Sequence, residues 1–531
     1  MKGPGSAEAA RPWDLASLVL FLGFACVAIW TLGDYGMSWD EWFRWRGGQE
    51  KLVYYFDLFA GRPADPAPRG APDTYPGLFD LTLASLNEFA GLPIFGTGHS
   101  LSLAFGFLAC LATWLLGRSI GGGRAGFFAL AILLLVPRFY GHQFFNPKDI
   151  PFAATYAWAL LALVWFLFAL PRPSPGRTLG LGLAIGLALS TRIGALIVFG
   201  YLGLAGIWAV AREAARAPPG GRTRAGFDAL VGALARCAVA AALAFAVLLP
   251  WWPYAHWNPV ARSIEALLSI SEYPWNGPVL YFGEYIRAAD LPWHYLPVWI
   301  TITIPPILVA ALACGAVLAA RRFPSLVRRW KSPEVAATGL LVFAVLFPVL
   351  YVLARDSILY DGMRHFLFVL PPLVVLGGLS LDRLFRRIRG RTAAFAAIAA
   401  CVVLALSSVV PMLRLHPYQH TYFNPLAGGL AGAEGRFETD YWGTAKREAV
   451  RRLEAYLEES GFEGRPRVSS SPSVILSRYF FPEEWIPVGD PAQADFHVAV
   501  TRLGFHRQVE GETVVEVGRE GAVFAVAVRL R

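Results

Sequence analysis

"LASLVLFLGFACVAIWTLGDYGMSWDEWFRW", residues 15–45, holds the decision on fold class. The part from Leu15 to Leu32 carries no charge and approaches the roughly 20 apolar residues that cross a bilayer as a helix. Lys2 and Arg11 precede it as in a signal peptide, but the run is too long for a signal core and no small-x-small site follows, so it reads as a retained anchor. Directly after it stand Asp40 and Glu41, side by side among Trp39, Trp42 and Trp45. Paired acids repel, and tryptophans favour the lipid–water boundary. A substrate at that boundary would use the carboxylates.

Composition extends this to the whole chain. Of 531 residues 56% are hydrophobic and only 16% charged, against about 25% charged in a soluble domain. The expected class is a polytopic α-helical membrane protein with a small α/β domain outside the membrane. The net charge of +9 gathers in short loops, at Arg212–Arg224, Arg321–Lys331 and Arg383–Arg391. Loops of that kind set orientation by the positive-inside rule and exclude nucleic acid as the partner. The five cysteines all fall in apolar segments, which predicts neither disulfides nor a cysteine zinc site.

Apolar runs give eleven candidate spans, 15–33, 98–117, 124–140, 151–171, 177–191, 193–211, 229–250, 296–320, 335–354, 366–382 and 392–413. An N-terminus inside puts the basic loops in the cytoplasm and all nine histidines outside. Among the acids, only Glu8, Asp14, Glu213, Asp228, Glu334 and Asp382 fall inside. Residues 1–413 are therefore expected to form the membrane domain, with outer loops 34–97, 141–150, 251–295 and 355–365. Residues 414–531 form the outer domain. "WFRWRGGQEKLVYYFDLFA" suits an interfacial helix, and 61–72 is a Pro/Gly/Ala-rich tract. In the last domain, "TAKREAVRRLEAYLEESG" predicts a helix ending at Gly461, with Ala449, Val450, Leu453 and Leu457 on one face. "RPRVSSSPSVILS", "ADFHVAVTR", "ETVVEVGRE" and "AVFAVAVRL" predict strands, the last two a hairpin turning at Glu520-Gly521.

Candidate chemistry gathers on the outer side. Arg44 and Arg46 are near enough to keep Asp40 or Glu41 ionised, as a base toward an acceptor hydroxyl requires, or the acids simply pair with them in water. In "YGHQFFNPKDIPFAATY", His142, Asn146, Lys148 and Asp149 crowd one short loop. Asp149 either caps the following helix or acts in the site. Lys148 is unfavourable at a helix start unless it meets a phosphate. Arg192, at the boundary of two spans, either snorkels or binds an anion. Asp361, Arg364 and His365 fall within five residues, and Arg364 with His365 forms a basic pair on the outer side, against the usual charge bias. Asp440, before the last helix, is either a carbohydrate contact with Tyr441 and Trp442 or part of a domain junction.

No Walker A loop, GxSxG, HExxH or CxxC is present. Charges are absent from the middle of the confident spans, which argues against a transporter; a scaffold with no catalysis is the other alternative. An outward-facing enzyme has no ATP or nucleotide sugar, so its activated donor has to travel in the membrane.

These features resemble the GT-C membrane glycosyltransferases, and most of all glycosyltransferase family 39, which includes protein O-mannosyltransferases and the aminoarabinose transferases of lipid A. "YDGMRHFLFVLPPL" (360–373) and "YFNPLAGG…GRFETDYWGT" (422–444) look like signatures of a bacterial branch of that family. The resemblance implies sugar transfer with inversion from a polyprenyl-phosphate donor to a lipid, glycan or protein acceptor, at the outer face of the cytoplasmic membrane. It implies Asp40 as the essential acid with Glu41 beside it, and Asp149 as the acid of the second outer loop. Lys148, Arg192 and Arg364, with His365, would hold the donor phosphate. Arg44, His142, Asn146, Asp361 and Asp440 would line the substrate. A divalent metal, where one is used, would bind Asp40, Glu41 and Asp149 through oxygen. No long insertion of the eukaryotic mannosyltransferase kind is present.

Overall fold

The computed structural model describes residues 11–65, 74–271 and 275–530. Lys2, Glu8 and part of the 61–72 tract lie outside the described residues. The first apolar run is α1 (Arg11–Thr31), and the interfacial segment is α2 (Trp39–Phe59), followed by α3 (Leu78–Ala90). Next come α4 (Ile94–Gly121), α5 (Gly123–Leu134), α6 (Pro137–Phe145), α7 (Asp149–Ala169), α8 (Pro175–Leu189), α9 (Ile197–Ala214) and α10 (Arg222–Leu248). After α11 (Pro259–Ser271) come α12 (Tyr295–Thr303), α13 (Pro306–Arg321), α14 (Pro333–Ala354), α15 (Leu370–Phe385) and α16 (Arg391–Arg414).

Among the described residues eight helices are long and apolar enough to cross a membrane, or ten if two bent pairs each count as one span. The sequence count of eleven needs correcting at three places. The run 124–140 is broken between α5 and α6 by 70°, and 296–320 between α12 and α13 by 111°. Proline begins the second helix of each pair, where it cannot donate to the preceding turn. The run 177–191 forms only the 15-residue α8, short for a span. Helix α7 is at the centre of the bundle and is buried along most of its length.

The region 251–295 carries a two-stranded hairpin that the sequence did not announce, β1 (Pro278–Tyr281) with β2 (Glu284–Arg287). Beyond α16 the last domain packs α17 (Lys446–Glu459) on a sheet of order β4-β3-β5-β7-β6. The strands are β3 (Arg467–Ser471), β4 (Ile486–Pro487), β5 (Phe496–Val500), β6 (Glu512–Arg519) and β7 (Ala522–Arg529). The stretch 465–477 is only half strand: after Ser471 it turns, and Ile475–Arg478 is a helical turn. The predicted hairpin is present, with Glu520 and Gly521 both at positive φ, as its tight turn requires. The predicted apolar face of α17 is buried, and Leu453 is fully so. Leu453→Ala should cost about 2–5 kcal/mol, seen as faster proteolysis of this domain with the membrane helices intact.

Candidate active site

Helix α2 starts with a capping box. The Glu41 carboxylate accepts from the Ser38 backbone N–H at 2.7 Å and from its hydroxyl at 3.2 Å. Its other oxygen faces His99 Nε2 at 3.1 Å. Consecutive helical residues point about 100° apart, so Asp40 takes a different direction, toward Arg364. The adjacency that drew attention in the sequence is not a spatial pair. Glu41 belongs to the helix start, and Glu41→Gln should cost about 1 kcal/mol of stability while leaving turnover close to wild type.

Asp40 Oδ2 accepts from Arg364 Nη1 at 3.0 Å. The same nitrogen lies 3.7 Å from Asp149 Oδ2, and Arg364 Nε lies 2.9 Å from Asp361 Oδ2. One guanidinium therefore serves three carboxylates, with its plane over the Trp442 ring at 4.5 Å. Burial works to raise Asp40, but Arg364 and then Lys148 outweigh it and hold the carboxyl below its ordinary value. Asp40 keeps 21% of its side-chain surface accessible, whereas Asp149 keeps 2%. Asp40 is the most accessible acid of this cluster.

Asp149 is not a helix cap. Asn146 does that work: its Oδ1 accepts from the N–H groups of Lys148 (3.2 Å) and Asp149 (2.8 Å). Asn146 Nδ2 in turn donates to Asp149 Oδ2 at 3.0 Å. The Asp149 carboxylate is thus free to receive Arg192 Nη2 at 2.7 Å. Lys148 Nζ sits over the Tyr75 ring at 4.3 Å, and among the described residues no carboxylate pairs with it. Tyr75 is missing from the sequence-based set. Burial would raise its phenol, yet Lys148 and Arg192 pull it below its ordinary value.

Arg192, Tyr75 and His365 line a cavity of about 450 Å³. Most of its other lining is apolar, with Phe152, Leu196, Ile197, Phe347, Val352 and Phe368 among it. The cavity thus joins a largely apolar lining to the guanidinium of Arg192.

Other sequence-based members are placed elsewhere. Arg44 pairs with Asp80 at 3.1 Å, and Lys51 shares Asp80 at 3.4 Å. Asp361 is enclosed by Arg364 and Arg502, so it orients arginines. Asp440 accepts from the N–H groups of Gly443 (3.1 Å) and Ala445 (3.0 Å) and pairs with His420 at 3.0 Å. It is 4% exposed and forms a turn, so the carbohydrate-contact reading gives way to the junction reading. His142 is fully buried and meets the Tyr441 hydroxyl at 3.2 Å, tying α6 to the same junction. The metal set fails as well: Arg364 stands between Asp40 and Asp149, and Glu41 turns away. Among the described residues, no three His, Cys, Asp or Glu side chains are grouped to hold an ion.

The helical bundle with its small sheet domain is similar in fold to known membrane glycosyltransferases. The model of the dolichyl-phosphate-mannose-protein mannosyltransferase family matches residues 97–222, which include Asn146, Lys148, Asp149 and Arg192. The oligosaccharyltransferase of Archaeoglobus fulgidus in its apo form is similar in structure at 15% identity and a TM-score of 0.51, over 91% of this chain and 65% of that one. ArnT from Cupriavidus metallidurans in the apo state is 15% identical over 98% of each chain, with a TM-score of 0.47. Arabinofuranosyltransferase AftD from Mycobacteria is 14% identical over 98% of this chain and 42% of that one, with a TM-score of 0.41. No curated protein sequence matches the chain. The GT-C resemblance expected from the sequence holds.

Proposed function

We propose that the chain is an integral-membrane glycosyltransferase of the bacterial cytoplasmic membrane, working at its outer face. Its donor is a polyprenyl-phosphate sugar, and its acceptor is a hydroxyl of a lipid, glycan or protein. The observation that carries this reading is one juxtaposition: an accessible, ionised Asp40 is joined through Arg364 and Asp149 to Arg192, which lines a largely apolar cavity together with Tyr75, the ring beneath Lys148.

In this mechanism Asp40 accepts the proton of the acceptor hydroxyl. The acceptor oxygen bonds to the anomeric carbon from the face opposite the phosphate. The bond from that carbon to the phosphate oxygen breaks, and its electron pair leaves with the polyprenyl phosphate. A single displacement of this kind inverts the anomeric centre. The leaving phosphate gains negative charge, and Lys148 and Arg192 stabilise it where that charge develops. Arg364 fixes Asp40 in its ionised form.

The test uses the protein in nanodiscs with radiolabelled polyprenyl-phosphate hexoses and pentoses and an envelope extract. The expected result is release of polyprenyl phosphate from one donor, with the opposite anomer in the product. Lys148→Ala should slow release by roughly 10²-fold, the size found for losing one preorganised charge-stabilising contact. Silence across the whole donor panel, or a retained anomer, would sink this reading.

A further inference from the structure

The end of the bundle opposite Asp40 carries an unbalanced cluster of charge. Helix α15 leads away from Arg364 over 16 residues, about 24 Å, to Asp382 and Arg383 near its C-terminal end. Helices α13 and α14, which flank the segment 322–331, both pack on α15. Around the Arg383 guanidinium stand Arg387, Arg329 and Arg386, and one carboxylate, that of Asp382. Asp382 has no capacity left for the others: Arg124 Nε donates to its Oδ1 at 2.8 Å and Arg386 Nε to its Oδ2 at 2.7 Å. Among the described residues, Arg329 and Arg387 have no carboxylate within ion-pair distance. Residues 321–331 and 383–391 contain no acid at all.

The positive-inside rule explains why arginines gather on one side. It does not explain why two separate loops bring them together, since like charges repel. Nor is the first loop loose. Trp208 Nε1 donates to the Trp330 carbonyl at 2.9 Å, and Lys331 Nζ to that of Ala215 at 2.8 Å. The cations are open to a ligand, for Arg329 and Arg383 are exposed and Arg387 is half-buried. Guanidinium forks match phosphate oxygens in shape and charge.

Apolar groups stand in the same segment. The helical turn Phe323–Arg328 presents Phe323, 65% exposed, and Val327, 52% exposed. These two are one turn apart and share a face. A soluble anion or a nucleic acid would leave that face bare, whereas a phospholipid uses both kinds of group. Basic pockets between spans are where acidic headgroups bind. We propose that this junction is a site for an anionic phospholipid, its headgroup phosphate held by Arg329, Arg383 and Arg387 and its chains lying on Phe323 and Val327. The site stands apart from the transferase reading, and its test needs no sugar donor.

The experiment is native mass spectrometry of the full chain in detergent, titrated with phosphatidylglycerol and with phosphatidylcholine. The wild type should hold phosphatidylglycerol at least tenfold more tightly. Arg329→Gln/Arg387→Gln should weaken that lipid by roughly thirtyfold, the combined worth of two basic residues at an anionic membrane surface, and leave phosphatidylcholine unchanged. Arg222→Gln/Arg224→Gln takes the same charge from another basic loop and should keep the wild-type preference. The unfolding midpoint in lipid-free detergent separates a ligand site from a structural role. Relief of repulsion should leave Arg329→Gln/Arg387→Gln at or above the wild type, while added phosphatidylglycerol raises the wild type more. No lipid preference in the wild type, an equal loss in the two double variants, or a lowered lipid-free midpoint overturns the proposal.

Discussion

Asp40→Asn should lower polyprenyl phosphate release by roughly 10²–10⁴-fold, the range lost when a positioned general base is removed. Asparagine has nearly the same shape and can still accept from Arg364 Nη1, now at 3.0 Å from Asp40. The fold should therefore persist, and an unchanged unfolding midpoint would show it. What is lost is the ability to take a proton. The pH profile gives a second, independent measurement. Arg364 and Lys148 hold Asp40 below its ordinary value despite burial. A depressed carboxyl stays ionised above its folded value, so stability and rate linked to it are present at neutral pH and fall only as the pH drops through that value. Between pH 5 and 8 the wild type should show no acid limb from this group, because an ordinary aspartate already titrates near 3.9. Equal turnover by Asp40→Asn would remove Asp40 from the mechanism, and an acid limb near pH 6 would mean that burial outweighs the arginine.

How much of this was legible in the chain varies residue by residue. The spans were, because apolar runs between basic loops carry their own signal, and only proline-led bends and one short helix altered the count. Asp40, Lys148, Asp149, Arg192 and Arg364 were visible because each is a charge at an apolar boundary, where ordinary solvation does not account for it. Their grouping was not visible, since Arg364 and Asp40 are 324 residues apart in the chain. Glu41 was misread although a signal was present: Ser38-x-x-Glu41 is the spacing of a capping box. Asp440 stayed open between a carbohydrate contact and a domain junction because Tyr441 and Trp442 beside it look like a carbohydrate platform. In the fold those rings are buried, and Trp442 serves Arg364 instead. Tyr75 and Arg502 gave no local signal. Each owes its role to contacts made across the fold, Arg502 reaching Asp361 over 141 residues.

Arg364→Met should be the most damaging single change, lowering stability by about 3–5 kcal/mol, as removing one partner from a buried charge cluster does. Asp40, Asp149 and Asp361 all lean on this guanidinium, and Asp149 and Asp361 are almost completely buried. The main chain already spends energy to bring them there. Asp361 has φ of 55° and Gly362 φ of 66°, and a Cβ at 362 would stand 2.8 Å from the Trp299 ring, so this turn cannot relax by rearranging around a side chain. With methionine the three acids face one another with Lys148, Arg192 and Arg502 at the edges. The unfolding midpoint should drop and polyprenyl phosphate release should vanish. Arg364→Lys restores a charge, but a single ammonium cannot span three carboxylates as a planar fork does. It should recover much of the stability and little of the rate. The double variant Asp361→Asn/Arg364→Met separates the two contributions. Neutralising Asp361 removes one of the stranded charges, so the pair should be more stable than Arg364→Met alone, with a coupling of about 0.5–3 kcal/mol. Turnover should stay absent, because Asp40 still lacks the group that orients it. Strict additivity of the two changes would mean that Asp361 and Arg364 do not share their charge as the 2.9 Å contact requires.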